Sequence, residues 1–275
     1  MNHVGQTHAG VRAASAIPAH WVMSGILAVI AALFIAFPLA ALLTRTSVAD
    51  LLSAARDPVV LDAMRVSGET TAISLLLILL FGTPLALVLA RGRFPGRALL
   101  DALVGLPLVL PPVVAGLALL VAFGRTGPVG GALGALGIDI PLSTTAVVLA
   151  QSFVAGPFFV YAVAGGLAQV DTGVEEVART LGATPWRVLW TVTIPLARPA
   201  MVYGAVLSTA RALGEFGATI TVAGNVQGRT QTMPTAIFLA FERDPHGAVA
   251  LAVVLAIVSF ALLLAVRGLR IARPL

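Results

Sequence analysis

The 275-residue sequence contains no cysteine and no lysine, and only 11% of its residues are charged. The lack of cysteine excludes disulfides, thiolate metal sites and a cysteine nucleophile. The lack of lysine excludes a Walker-type phosphate-binding loop, which needs that side chain, so any ATP hydrolysis would have to take place on a partner. Soluble domains carry about 25% charged residues. The low charge along the whole chain therefore excludes a sizeable soluble domain.

Long apolar segments dominate the chain instead. Hydrophobic residues make up 59% of it, and the mean hydropathy is +1.00. A helix needs about 20 mainly apolar residues to cross a bilayer. We therefore predict an all-α integral membrane protein, with a polar tail at residues 1–20 and a single transmembrane domain at residues 21–275. Its six predicted spans lie at about residues 21–44, 67–90, 99–124, 141–170, 197–225 and 247–267.

The first predicted span has an alternative interpretation as a cleavable signal peptide. The apolar run of that segment is longer than the core of about 7–15 residues that signal peptides use. It also leads into Arg45 without a clear small-residue cleavage site. Both features favour a membrane anchor.

The distribution of arginine predicts the orientation of the spans. Alternating the spans divides the remaining residues into two sets, one with ten arginines and four acids, the other with six arginines and seven acids. Arginine concentrates on the cytoplasmic side of membrane proteins. The first set, which includes both chain ends and the loop at residues 171–198, is therefore predicted to be cytoplasmic, in a multi-pass protein of the inner membrane. The basic character then reflects topology and does not indicate nucleic-acid binding.

Prolines predict an interruption in the third span. The segment Gly105–Gly116 reads GLPLVLPPVVAG, and Pro107, Pro111 and Pro112 cannot donate backbone hydrogen bonds. Broken helices are tolerated in membranes where protein or a water-filled cavity covers the freed backbone. The segment is therefore either a packing kink or part of the lining of a pathway.

The predicted cytoplasmic loop begins with a short amphipathic helix. Thr172 and Glu175 have the spacing of a capping box at its start. Such a helix, held between two spans, either binds a partner protein or lies on the membrane surface. Its predicted apolar face, spaced i, i+3, i+4 and i+7, consists of Val174, Val177, Ala178 and Leu181.

A glycine turn is predicted to separate this helix from a second one. Gly182 stands where a left-handed C-terminal cap is needed. Thr184 followed by Pro185 is typical of an N-cap with proline at the first helical position. Pro195 and Pro199 mark the return of the chain to the membrane.

The spacing of this loop resembles the signature of the permease subunits of ABC-type importers. That signature reads E-A-A, three residues, G, nine residues, I-x-L-P. Here Glu176-Val177-Ala178 precedes Gly182 by three residues, and Val192-Thr193-Ile194-Pro195 follows it after nine. The departures replace one apolar residue with another. The resemblance implies a type I ABC importer permease architecture whose loop couples to an ATPase subunit through Val174, Glu176, Val177, Ala178, Leu181, Gly182, Pro185, Trp186, Arg187 and Pro195.

The resemblance covers roughly residues 60–270 and extends to a substrate branch. The segments Arg93–Gly116, Ala210–Asn225 and Gln231–Pro234 look like those of molybdate permeases. Sulfate/thiosulfate (or tungstate) permeases are the close alternative. The resemblance thus implies inward transport of a tetrahedral oxyanion.

Such a permease works with partners and holds no cofactor of its own. The resemblance implies two ATP-binding subunits that carry ATP and Mg²⁺, a second copy of this chain and an extracytoplasmic oxyanion-binding protein. A stand-alone secondary transporter is the alternative from a different class, but it usually shows an internal repeat, and none is convincing here. A membrane-embedded enzyme would need clustered acid, base or nucleophilic side chains. The histidines show no ligand spacing, so no metal site is predicted.

Two charges lie in the middle of the fifth predicted span, well away from Arg198 at its start. A charge at the centre of a span costs at least about 2.5–3.5 kcal/mol on insertion scales. Arg211 and Glu215 are spaced i, i+4, so they can pair on one helix face. The pair either fixes the span against a neighbour or lines the pathway, where Arg211 would meet a passing dianion. The pore-lining candidates on or near this face are Ser208, Arg211, Glu215, Thr219, Thr221 and Asn225.

Overall fold

A computed structural model describes residues 19–271, apart from the side chains of residues 19, 262–263 and 265–271. Residues 1–18, most of the predicted polar tail, lie outside this part. All regular secondary structure within the described part is helical. The helices are α1 (Ala19–Thr44), α2 (Val48–Ala54), α3 (Pro58–Arg91), α4 (Arg97–Val109), α5 (Pro112–Phe123), α6 (Pro128–Gly134), α7 (Thr144–Ala168), α8 (Thr172–Thr180), α9 (Pro185–Val188), a π-helical turn (Leu189–Thr193), α10 (Ile194–Leu213), α11 (Gly217–Ala223), α12 (Met233–Arg243) and α13 (Pro245–Ile271).

The chain divides into two compact units, residues 1–45 and residues 46–275. Helix α1 forms most of the described part of the first unit. Its 26 residues include no charged side chain, and at 1.5 Å per residue they span about 39 Å, more than the hydrocarbon core of a bilayer. Large side chains such as Trp21, Leu33 and Phe34 are exposed along it, as expected for a helix whose solvent is lipid.

Within the described residues, helices α1, α3 and α7, at three of the six predicted spans, are each long and apolar enough to cross a membrane. Helices α4 and α5 make a fourth crossing if the bent pair is one span. Helices α10 and α13 lie at the remaining two places. Helix α13 is 27 residues long.

Helix α3 is longer than the span predicted at residues 67–90. It begins at Pro58, where Asp57 Oδ1 accepts a hydrogen bond from Val59 N at 2.7 Å, and it continues without a break to Arg91. Proline at the first helical position loses no hydrogen bond, because that N–H has no partner within the helix. The segment before the predicted span is therefore the first two turns of the same helix.

The interruption predicted from the prolines of the third span is confirmed. The direction of the helix axis changes by 119° between α4 and α5. Leu110 and Pro111 between them have extended backbone, each with ψ of 135°, as residues that precede proline do. The 119° angle is too sharp for a simple packing kink in a straight span.

The fifth predicted span, residues 197–225, is not one helix, which corrects the sequence prediction. Helix α10 ends at Leu213, and α11 begins only at Gly217. Glycine is a poor helix former, and here it also permits close packing: a Cβ on Gly217 would lie 2.7 Å from Cβ of Pro112. The break after α10 therefore packs against the break before α5.

Helices α3, α7 and α10 pack together around Phe159. This side chain is fully buried and lies between two glycines. A Cβ on Gly82 would come within 2.8 Å of its ring, and one on Gly204 within 3.1 Å. Small residues at such contacts let membrane helices approach closely. This three-helix core is the frame to which the loop and the broken segments attach.

An ion pair joins the two ends of the segment between α5 and α7. Arg125 donates to Asp139 from Nε at 3.0 Å and from Nη2 at 2.6 Å. The hydrogen bond from Arg125 lowers the pKa of the Asp139 carboxyl. Both side chains are exposed, so the pair orders this loop without forming a buried site.

Candidate functional site

Helix α8, the first helix of the loop at residues 171–198, is capped differently from the prediction. Its N-cap is Asp171, whose Oδ1 accepts a hydrogen bond from Gly173 N at 2.8 Å. The predicted capping box of Thr172 and Glu175 is wrong, because Thr172 is already the first helical residue and Glu175 turns its side chain into the protein. The cap is thus provided by a residue that sequence reasoning passed over.

The predicted glycine turn after α8 is confirmed. Gly182 has a φ of +85°. Gly182 N donates to Arg179 O at 2.9 Å and Ala183 N donates to Ala178 O at 3.1 Å, the two hydrogen bonds of a Schellman motif. Thr184 then caps α9, accepting a hydrogen bond from Arg187 N at 3.3 Å. The turn therefore has a defined geometry.

The apolar face of α8 points away from the rest of the chain. Val174 and Val177 are about half exposed, and Leu181 is 83% exposed. Trp186 and Trp190 beyond the turn are also exposed and contact each other edge to face, with ring centroids 5.6 Å apart. Among the other predicted coupling residues, Ala178 and Pro195 are half-buried, and Glu176, Gly182, Pro185 and Arg187 are exposed.

The second predicted loop helix is continuous with the helix that follows it. Helix α9 continues through the π-helical turn directly into α10. In that turn Ile194 N reaches back five residues to Leu189 O. Pro195 has no N–H to continue the regular ladder, which favours the widened turn. The loop and α10 are therefore one continuous helical segment.

Glu175 is the member of this site that sequence reasoning assigned wrongly. Its side chain is 8% exposed and lies 3.1 Å from Nη2 of Arg91. Its Oε1 also accepts a hydrogen bond from Thr193 Oγ1 at 2.8 Å. These partners lie 84 residues before it and 18 residues after it, so no local pattern indicates the contact.

The break between α10 and α11 holds the predicted pair of charges. Arg211 Nη2 lies 2.6 Å from Glu215 Oε2. Glu215 is 1% exposed and its Oε1 accepts a hydrogen bond from Ala218 N at 2.8 Å. The ion pair is present as predicted, but Glu215 lies in the non-helical link and also caps α11. Arg211 keeps about a quarter of its side chain exposed.

The other pore-lining candidates are mostly engaged with backbone atoms. Ser208 is buried and donates to Ala155 O of α7 at 2.9 Å. Thr221 donates to Gly217 O within its own helix at 2.7 Å, and Asn225 Nδ2 donates to Thr235 O at 3.3 Å. Thr219 is buried, and its hydroxyl has no hydrogen-bond partner within the described part of the chain. The structure thus brings Arg211 and Glu215 together, ties Ser208 to α7, and gives Thr221 and Asn225 backbone partners nearby in the sequence.

Gln151 of α7 is a second buried polar residue that sequence reasoning missed. It is 1% exposed. Its Nε2 donates to Ala212 O at 3.2 Å and to Thr71 Oγ1 at 3.4 Å, and its Oε1 accepts from Ser74 Oγ at 3.0 Å. Ala212 O, one residue before the end of α10, also accepts from Glu215 N at 3.1 Å. A lone amide within an apolar span is the sequence signal that indicates such a contact.

A Gln151→Leu variant is expected to be modestly less stable. It loses the hydrogen bonds that join α7 to α3 and to the end of α10, and such bonds between membrane helices are worth about 0.6–1.7 kcal/mol. The thermal midpoint of the purified protein should therefore fall. Gln169→Leu, at the exposed C-cap of the same helix, is the matched control. An equal fall in both variants would contradict a structural role for the buried amide.

Comparisons with known proteins place these features in a family. Residues 82–270 match the model of the family described as "Binding-protein-dependent transport system inner membrane component". The chain is 48% identical over 235 residues to the molybdenum transport system permease protein ModB of Mycobacterium tuberculosis, covering 85% of this chain and 88% of that protein. It is 41% identical over 182 residues to the sulfate transport system permease protein CysW of Synechococcus elongatus, covering 66% and 64%.

A solved structure shares the fold. One chain of the bacterial alginate ABC transporter, in its complex with an alginate pentasaccharide-bound periplasmic protein, superposes with a TM-score of 0.70 at 17% sequence identity. The match covers 90% of this chain and 92% of that chain. The family model spans the loop at residues 171–198 and both breaks, and the 48% identity extends along most of both sequences. This chain therefore belongs to the binding-protein-dependent transport system inner membrane components, a family of ABC transporter permeases.

Proposed function

We propose that this chain is the membrane-spanning subunit of an ATP-driven importer that carries molybdate into the cytoplasm. The observation that carries the proposal is the capped helix α8, whose apolar face is left exposed by residues 19–271, the part of the chain that the structure describes. In a member of a transport permease family, an exposed amphipathic helix between two spans supports docking on another protein. The chain is a permease subunit and not an enzyme.

The proposed partners supply the energy and the substrate. Two ATP-binding subunits would hold ATP and Mg²⁺ and engage the loop at residues 171–198, which places both chain ends in the cytoplasm. An extracytoplasmic binding protein would deliver the anion, and a second copy of this chain would complete the pathway. Because α9 continues into α10, a displacement of the loop would be passed directly to the segment that holds the Arg211–Glu215 pair.

Molybdate is favoured as the substrate, and sulfate is the second candidate. The ModB relative supports molybdate at 48% identity along most of both chains. The CysW relative supports sulfate, at 41% identity over a shorter match. Both anions are tetrahedral dianions, and the partly exposed Arg211 would attract either of them. The permease itself would then discriminate poorly between the two. The choice would then lie mainly with the binding protein.

ATP hydrolysis by the reconstituted complex tests the proposal. This chain and its ATP-binding partner are placed in liposomes with the binding protein empty, molybdate-loaded or sulfate-loaded. We expect stimulation by the molybdate-loaded form. Stimulation by the sulfate-loaded form alone would keep the importer and change its substrate. If no ATP-binding subunit associates and the chain alone moves the anion, it is a secondary transporter instead.

A further inference from the structure

We propose that Glu175 is a positioning residue that locks the docking helix α8 to three other segments, so that they move with it. The proposal rests on the function proposed above and adds the internal connection through which the loop acts. Its carboxylate contacts side chains from α3 and from the π-helical turn. Through Arg91 it is also tied to Val170, the second residue after α7.

Three side chains donate hydrogen bonds to this carboxylate. Oε1 accepts hydrogen bonds from Arg91 Nη2 at 3.1 Å and from Thr193 Oγ1 at 2.8 Å, and Oε2 accepts one from Arg179 Nη2 at 3.4 Å. Arg91 Nη2 also donates to Val170 O at 3.2 Å. Hydrogen bonds with ionised partners are stronger than neutral ones, and more so where water is largely excluded.

Glu175 is the main attachment of α8 to the other helices. Among the residues of α8, Glu175 is the one that is buried. The valines of the helix face outward, so apolar packing does little to hold it against the membrane domain. Helix α8 does not need Glu175 for its ends either, because Asp171 caps one end and the Gly182 turn closes the other. The buried Glu175 carboxylate is therefore not needed to form α8 itself. Its contacts are well placed to transmit a movement of α8 to the segments that it touches.

The hydrogen bonds of Glu175 with Arg91 and Thr193, called the lock below, lie on a different side of α8 from its exposed apolar face. The lock and the docking face can therefore be tested separately. Glu175→Gln keeps the shape of the side chain and removes its charge. Thr193→Val is nearly isosteric and removes one donor. Thr191→Val is the matched control in the same π-helical turn, because Thr191 is exposed and its hydroxyl donates to Arg187 O, one turn earlier, at 2.7 Å.

The experiment measures two quantities in liposomes that contain the whole complex and the molybdate-loaded binding protein. These are the amount of ATP-binding subunit that co-purifies with the chain and the number of molybdate ions transported per ATP hydrolysed. We expect Glu175→Gln and Thr193→Val to retain the ATP-binding subunit at wild-type levels while the transport ratio falls several-fold. The control should keep the wild-type ratio.

Two results would overturn the lock. One is a wild-type transport ratio in both Glu175→Gln and Thr193→Val. The other is loss of the ATP-binding subunit from both variants, which would make Glu175 part of docking or folding. If the wild-type chain itself fails to retain the ATP-binding subunit, the proposed function fails, and the lock fails with it. The wild-type sample therefore separates the two kinds of failure.

Discussion

A Gly182→Val variant is expected to lose transport and stimulated ATP hydrolysis while its membrane helices still insert. Gly182 has a φ of +85°, a conformation that costs L-residues about 1–2 kcal/mol and that β-branched residues rarely adopt. A Cβ at this position would meet no atom within 4 Å, so the effect comes from the backbone and not from crowding. At about 1.4 kcal/mol per factor of ten, a cost of about 1–2 kcal/mol makes the docking conformation roughly 5- to 30-fold rarer.

Asparagine at the same position provides the matched control. It tolerates the left-handed region better than other non-glycine residues, so Gly182→Asn should keep most of the activity. The measurements are co-purification of the ATP-binding subunit and transport by equal amounts of inserted protein. If the valine variant retained both, the turn after α8 would not be needed for docking.

The features that the sequence predicts correctly depend on local stereochemistry. Gly182 is identified by its place after an amphipathic pattern, and Thr184 with Pro185 by the preferences of a helix start. Pro111 and Pro112 predict the break in the third span because two consecutive prolines lack two N–H donors and disfavour helical backbone at the residues before them, whereas the single Pro84 is accommodated inside α3. Rules of this kind need no knowledge of distant residues.

Features that depend on distant contacts could not be predicted from the same patterns. The end of α10 reflects the packing of Gly217 against Pro112, more than 100 residues earlier in the chain. Glu175 fits a capping pattern, but its actual partners include Arg91. Periodicity predicted an apolar face on α8, but it does not say whether that face points inward or outward. Only tertiary structure decides such cases.

Replacing Arg211 with alanine is expected to lower transport more than it lowers the yield of the assembled complex. Glu215 is 1% exposed and would lose the guanidinium that lies 2.6 Å from its Oε2. Removing one partner of a buried ion pair typically costs about 3–5 kcal/mol, so some loss of yield is expected. Transport should fall further, because the variant presents an uncompensated negative charge to a dianion. Yield is measured by size-exclusion chromatography and transport by uptake into vesicles.

A double variant separates the structural role of this pair from its role in the pathway. Arg211→Met with Glu215→Gln leaves no uncompensated charge, and the glutamine can still accept the hydrogen bond from Ala218 N. Its yield should therefore return toward the wild-type level, while transport stays low because the positive charge is missing. Arg198→Met, an exposed arginine on the same helix, is the control for the loss of one cation. If transport recovered together with yield, the guanidinium would serve only to neutralise Glu215, and the anion would pass the break without meeting it.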